Sequence, residues 1–374
     1  MFRAKIFQLF SNCRTLSKSG FLLQSILTIP QQLKMSTGNS PLTIGTHSGI
    51  FHCDEVLACF LLRQLPQFSD AKIVRSRDEN DLKQCEIVVD VGGVFDKNKN
   101  LFDHHQKSFN ETFSSLRPEF PNYNIRLSSA GLIYTYFGEE VIQKILKDKC
   151  DLKVDSKLLK TIFEKVYRGL IQEIDGIDNG VPMFEGEPAY QISTDLSSRI
   201  GRLNSVWNDT GSFDVQSQFE KAIVVVGEEF IDRVTYYGSV WHPARSIVQD
   251  AIENRYNVHS SGEIIFLSQI CPWKDHLCDL ETENGLDGVL KYVLFCSSAT
   301  DYRVNCVPIN PKSFVCRKFL HKEWRGVRDA DLAKISGIKG AIFVHATGFI
   351  GGCKTREGAL EMAIKSLNAD GESL

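Results

Sequence analysis

The chain is short of several features that would each have fixed its class. No apolar run approaches the roughly 20 residues that a membrane-spanning helix needs, which argues against a helical membrane protein. No Cys-x-x-Cys pair occurs, and the eleven cysteines are scattered and odd in number. In a chain this long, that pattern reads as reduced thiols of an intracellular protein, not as a disulfide scaffold. The net charge is only −3, so the chain as a whole is not a polycation built to coat nucleic acid. No internal repeat or low-complexity tract appears in its body. Apolar residues at 43% and charged residues at 24% are ordinary for globular proteins, and exclude a mainly disordered or collagen-like chain. A length of 374 residues exceeds one ordinary domain, so two folded units are expected.

Acid is absent from the first 53 residues, whereas Arg3, Lys5, Arg14, Lys18 and Lys34 lie there. Without those five, 38 basic residues face 46 acidic ones, a balance of −8 for the rest of the chain. A leader rich in Arg, Lys, Ser and Leu, with Phe2, Ile6, Leu9 and Phe10 at helical spacing, is expected to direct import into the mitochondrial matrix. Met35 offers a second start, and with it a leaderless nuclear or cytoplasmic form.

Past residue 40 the pattern alternates between strands and helices. Strands are expected at 42–46, 71–75 and 85–91, and helices at 54–65, 129–147 and 156–174. The uninterrupted apolar run Ile87-Val88-Val89 suits a strand buried on both faces, as in a parallel sheet. Strand and helix in alternation imply βαβ units. Helices are expected at 215–237 and 244–256, followed by strands at 264–267, 292–296, 303–307 and 341–345 and a last helix at 355–367. The expected architecture is α/β. A leader (1–40) precedes a parallel-sheet domain (41–200). A helical connector (201–260) leads to a smaller C-terminal α/β domain (261–374).

Four clusters carry chemistry. Gly45 to Glu55 follows a strand and opens a helix, and it holds His47, His52 and Asp54. Ligands of open parallel sheets bind outside the carboxyl ends of strands. Asp90 ends an apolar strand, where an unpartnered carboxylate would be costly. Asp103-His104-His105 follows, and Asp175 ends an amphipathic helix close to the core. Carboxylates at the negative end of a helix dipole call for a cation. Together His47, His52, Asp54, Asp90, His104 and Asp175 are too many for one open ion site but suit two ions sharing a carboxylate. Mixed imidazole and carboxylate donors fit Mn²⁺, Zn²⁺ or Mg²⁺, with imidazole tilting away from Mg²⁺. Two ions about 3.5–4 Å apart are a standard device for hydrolysing phosphate esters.

In order, these clusters resemble the four motifs of the DHH phosphoesterase superfamily. The wording of Thr46–Glu55, Val89–Asp96, Phe102–Gln106, Glu173–Gly180 and Phe343–Ala363 resembles the melanocyte proliferating gene family, over residue 41 to the C-terminus. The resemblance implies a 3′–5′ RNA exonuclease of mitochondria and nucleus, with two divalent ions, Mn²⁺ favoured. It implies that His47, His52 and Asp90 hold one ion, and that Asp54, Asp90, His104 and Asp175 hold the other. His105 would contact the scissile phosphate, and Asp103 would orient the histidines. The wider superfamily usually has an aspartate where His52 stands.

A fifth element, Phe343 to Gly358, reads as strand, Gly loop and helix. Gly351 and Gly352 would let backbone approach an anion, with Lys354 and Arg356 as cationic donors. The resemblance assigns this loop to substrate binding. Ser129, at a helix start, is a further phosphate candidate beside Ser128. Trp207, Trp241, Trp273 and Trp324 are expected in core or interface. The competing functions are a small-substrate phosphatase or pyrophosphatase with the same ions, and a catalytically inactive nucleic-acid-binding protein.

Overall fold

The computed structural model describes residues 41–298 and 301–369, so the expected leader lies outside the described residues. Two five-stranded sheets organise the chain. The first runs β2 (Lys72–Arg75), β1 (Thr43–Thr46), β3 (Ile87–Val89), β5 (Leu101–Phe102) and β4 (Phe95–Asp96) in spatial order. The first four are parallel, with Ile44 opposite both Ile73 and Ile87, and only β4 is antiparallel. The carboxyl ends of β1, β2, β3 and β5 therefore share one edge of the sheet.

Helix Cys53–Gln64 packs on helices Ser129–Cys150 and Val215–Tyr236. One apolar core runs from Ile44 to Val234 and includes Phe219, Val226 and Phe230. The stretch expected as a connector thus begins with a helix in this core. Residues 156–174, expected as one helix, are an α-helix to Val166, a π-helical turn at Tyr167–Ile171, and a second α-helix at Gln172–Asp178. The wider turn re-aims the residues that follow it.

The second sheet has the order β6 (Ile264–Leu267), β7 (Tyr292–Ser298), β8 (Asp301–Cys306), β10 (Ile350–Cys353) and β9 (Ala341–Val344). Only β6 and β7 are parallel. Side chains of a strand alternate between faces, so each face has its own core. Ile264, Leu294 and Val304 belong with Leu332, Met362 and Ala363. Ile265, Val293 and Phe295 belong with Val248, Ile252 and Leu277.

This arrangement corrects one expectation. Gly351 and Gly352 do not form a loop before a helix; they lie inside β10, an interior strand. Packing explains the glycines. A Cβ on Gly351 would come within 2.6 Å of Met362 Sδ and 2.8 Å of Leu320 Cδ1, and one on Gly352 within 2.8 Å of the Phe343 ring. Where the two sheets' supporting helices meet, Lys165 pairs with Asp275 at 3.0 Å and lies over the Trp241 ring, on which His276 stacks. The buried cysteines Cys53, Cys59, Cys306, Cys316 and Cys353 are free thiols. Trp241, Trp273 and Trp324 are buried, whereas Trp207 is 97% exposed. No helix among the described residues is long and apolar enough to cross a membrane.

Candidate metal centre

Parallel strand ends deliver the side chains. His47 follows β1, Arg77 follows β2, Asp90 follows β3, and Asp103-His104-His105 follow β5. Helix Cys53–Gln64 then presents Asp54 and Glu55 in its first turn, where the helix dipole favours acid. Glu55 also accepts the His52 backbone N–H with both oxygens at 2.9 Å, closing the helix start.

Asp90 is the pivot of the cluster. Its φ of +58° is left-handed, a strained value for a non-glycine residue, and Gly92 and Gly93 follow it with positive φ. Its carboxylate lies 3.4 Å from His47 Nε2, 3.3 Å from His104 Nε2 and 3.5 Å from His105 Nδ1. Ser129 Oγ donates to it at 3.2 Å. Three ligand groupings with donor atoms within 4.8 Å of one another result: His47, His52, Glu55 and Asp90; Asp90, His104 and His105; and Asp54, His104 and Asp178.

The electrostatics are those of a crowded acidic site. Burial, reinforced by Asp90 and Asp178, pushes Asp54 well above the usual carboxylate range. Burial works against the charge of Asp90 too, yet His104 and His47 draw it well below that range. Burial alone would lower His47, but Asp90 and Glu55 outweigh it and hold the imidazole up at about 10. Neither oxygen of the buried Asp54 accepts a hydrogen bond, and His104 has no hydrogen bond at either ring nitrogen despite its carboxylate neighbours. A buried carboxylate without a donor is costly. A divalent cation would satisfy Asp54, His104 and Asp178 together, and Asp90 lies 3.3 Å from the same His104 nitrogen, so the donor set fits a metal.

Five of the six expected ligands, His47, His52, Asp54, Asp90 and His104, are brought together. Asp175 is not. It is fully buried and accepts from Ser128 N, Ser128 Oγ and Tyr167 Oη, and Asp178, one turn later, stands 3.2 Å from His104 instead. Asp103 holds its neighbour: its Oδ1 accepts from His105 N at 3.1 Å and lies 2.8 Å from His105 Nδ1. The His105 side chain itself is 63% exposed. Ser129 is buried against Asp90 instead of facing an incoming phosphate.

A family model described as an uncharacterised protein family (UPF0160), the MYG1 exonuclease model, matches residues 43–367. The chain belongs to this family. Its relatives include the "MYG1 protein" of Dictyostelium discoideum, 48% identical over 338 residues, which are 90% of this chain and 99% of that protein. The "MYG1 exonuclease" of Homo sapiens is 45% identical over 340 residues, 90% of this chain and 89% of that one. Among solved structures, a crystal structure of exonuclease RecJ bound to manganese covers 88% of this chain and 91% of its own, at 10% identity and a TM-score of 0.21, too slight a likeness to carry an argument. The MYG1 match begins at β1 and ends in the last helix, so both sheets belong to the family's shared body.

Within that body lie further residues that the sequence reading did not single out. Asp178 and Glu55 lay inside the motifs already singled out, but spacing did not choose between neighbouring acids. Arg77 reaches the site from β2; its Nε donates to Ser48 O at 3.2 Å, and its guanidinium lies 3.4 Å from His47 Nδ1. In the second sheet, Arg303 and Arg328 lie over the Phe343 ring at 5.4 and 5.6 Å, beside Gly352. Arg356, expected as a free phosphate donor, lies over Phe266 at 4.2 Å. Lys354 lines Gly340 with its side-chain stem.

Proposed function

We propose that this chain is a two-metal phosphodiesterase, a 3′–5′ exonuclease acting on RNA. The observation that carries the reading is Asp54: a buried carboxylate with no donor, beside His104 and Asp178, at the carboxyl edge of a parallel sheet. Relatives named MYG1 exonuclease support the word nuclease. RNA and the direction of digestion rest on the motif resemblance.

One ion falls to His47, His52 and Asp90, the other to Asp54, Asp90, His104 and Asp178. Bound there, two divalent ions, Mn²⁺ favoured and Mg²⁺ or Zn²⁺ possible, supply an activated water and neutralise charge on the phosphate. The chain's own groups do the rest. Asp103 fixes the His105 ring, whose other nitrogen is left to meet the scissile phosphate. Arg77 adds a cation on the His47 side. Arg303, Arg328 and Phe343 offer guanidinium and ring faces to the remaining strand, a combination that suits single-stranded nucleic acid. Residues 1–34 direct the chain to the mitochondrial matrix, and a product starting at Met35 serves nucleus or cytoplasm.

The test is direct. Purified chain, loaded in turn with Mn²⁺, Mg²⁺ and Zn²⁺, is given end-labelled RNA, end-labelled DNA and pyrophosphate. Stepwise shortening of RNA from its 3′ end is expected. Hydrolysis of pyrophosphate alone would replace the exonuclease by a small-substrate phosphatase. Binding of RNA with no cleavage under any ion would leave a nucleic-acid-binding protein.

A further inference from the structure

Asp175 is a buried acid that the centre does not use directly. Both of its oxygens are engaged. Oδ1 accepts from Ser128 N at 2.9 Å and from Ser128 Oγ at 2.7 Å, and Oδ2 accepts from Tyr167 Oη at 3.1 Å. Ser128 in turn caps helix Ser129–Cys150, accepting from Gly131 N at 3.3 Å. The fit is close. A Cβ on Gly131 would lie 2.3 Å from Asp175 Oδ1, so only glycine leaves room for the carboxylate. The next residue after the cap, Ser129, is the one that donates to Asp90 at 3.2 Å. Tyr167 opens the π-helical turn and is stacked on Phe113 at 3.7 Å, so its hydroxyl is held in place from behind. Asp175 and Asp178 lie three residues apart on one helical face, but only Asp178 reaches His104.

We infer that Asp175 is a positioning residue: it anchors the first turn of helix Ser129–Cys150 so that Ser129 holds the Asp90 carboxylate in its strained place between the two ion sites. This role rests on the two-metal reading above. Both oxygens of Asp175 are already held by three protein hydrogen bonds, from Ser128 N, Ser128 Oγ and Tyr167 Oη, whereas Asp178 stands 3.2 Å from His104 Nε2. The seryl cap is the physical link. Without Asp175, Ser128 N and Oγ lose their shared acceptor, the helix start loosens, and Ser129 no longer fixes the side chain that both ions need. Partners that orient metal ligands typically cost about 10–100-fold in affinity or activity when removed.

The experiment is an Mn²⁺ titration of the whole chain, read by electron paramagnetic resonance, with melting temperature followed in parallel. Asp178→Asn is expected to bind one ion fewer. Asp175→Ala is expected to keep the wild-type number of ions and bind them about tenfold more weakly. Asp175→Asn should recover most of that loss, because an amide oxygen still accepts from Ser128. Ser129→Ala tests the far end of the link if Asp175→Ala does not fold. It should weaken Mn²⁺ by a similar factor, about tenfold. Loss of an ion in Asp175→Asn would make Asp175 a ligand and overturn the proposal. Unchanged Mn²⁺ affinity in Asp175→Ala or Ser129→Ala, with only a lower melting temperature, would leave a purely structural role and overturn it too. Full Mn²⁺ binding by Asp178→Asn and Asp90→Asn would instead defeat the two-metal reading itself.

Discussion

The two sheets solve opposite problems. The first is parallel, so its strand ends converge, and the residues just past them are charged and buried: His47, Asp90, Asp103 and His104, with Asp54 and Glu55 from the adjoining helix. The second is largely antiparallel, and its interior strand β10 carries Ile350, two glycines and the Cys353 thiol. In the first, carboxylates crowd one another and Asp54 is left without a donor. In the second, the buried acid Glu281 is fully matched, accepting from Arg317 at 2.7 Å on both oxygens and from Leu290 N. The lesson is that a buried charge left without a protein donor points to a ligand, whereas a fully matched acid such as Glu281 is accounted for by packing alone.

The largest expected effect breaks the first sheet's side of this contrast. Asp90→Ala should abolish hydrolysis and lower metal content, since its carboxylate belongs to two of the three donor groupings and would serve both ions of the proposed centre. Full activity with two ions bound in that variant would remove Asp90 from the centre. Asp54→Asn should weaken metal binding while the metal-free protein melts no lower than wild type, because burial and its acidic neighbours already disfavour its charge. A marked fall in that melting temperature would mean that Asp54 serves packing, as Glu281 does.

On the second sheet, Arg303→Ala combined with Arg328→Ala should raise KM for an RNA oligonucleotide and leave metal binding intact. Each lost contact to a charged donor is expected to cost about 1.5–3 kcal/mol where the partner group is buried. An equal loss on a mononucleotide ester would move these arginines to the scissile phosphate. Gly351→Ala should destabilise the fold by about 1–3 kcal/mol through overpacking against Met362 and Leu320. Chemical denaturation measures this, and metal stoichiometry should not change.

Smaller effects follow where the two halves meet. Burial lowers the His276 imidazole below its usual value, although it stays bonded to Trp241 O at 2.7 Å. The unfolded chain therefore takes up the proton first as pH falls. Stability from a neutral His276 is present above about pH 6.5 and is lost on acidification below it. His276→Gln should flatten that slope between about pH 7.5 and 5.5, and identical slopes would show that His276 does not titrate on unfolding. The smallest effect is expected from Lys354→Ala with Arg356→Ala. Both residues are exposed, and the pair should change stability in chemical denaturation by no more than about 0.5 kcal/mol, the ordinary range for surface substitutions.

Much of this was legible before any fold was known. Ile87-Val88-Val89 announced a strand buried on both faces, and β3 is one. Strand 264–267 and the helix starts at Ser129 and Ser156 fell where the side-chain pattern put them. His47, Asp90 and His104 could be named because their clusters resemble, in order, the motifs of a known superfamily; alone, Asp90 reads equally well as a turn acid ahead of a Gly pair. The glycine pair misled because Gly-Gly ahead of a helix looks like a turn. Its cause is a neighbour distant in sequence, Met362 on one side and Phe343 on the other.

The sequence by itself determined the alternation of strands and helices, the parallel character of the first sheet and the presence of clustered imidazoles and carboxylates. Those follow from periodicity and from the cost of burying charge, both of which are local. Only the tertiary structure decided which acid goes where. Asp175 and Asp178 share a helical face, and a π-helical turn together with the cap at Ser128 sends one to a helix start and the other to His104. That choice depends on atoms placed by chain segments some 50 to 75 residues away, at Ser128 and His104, and no spacing rule along one strand or helix contains it.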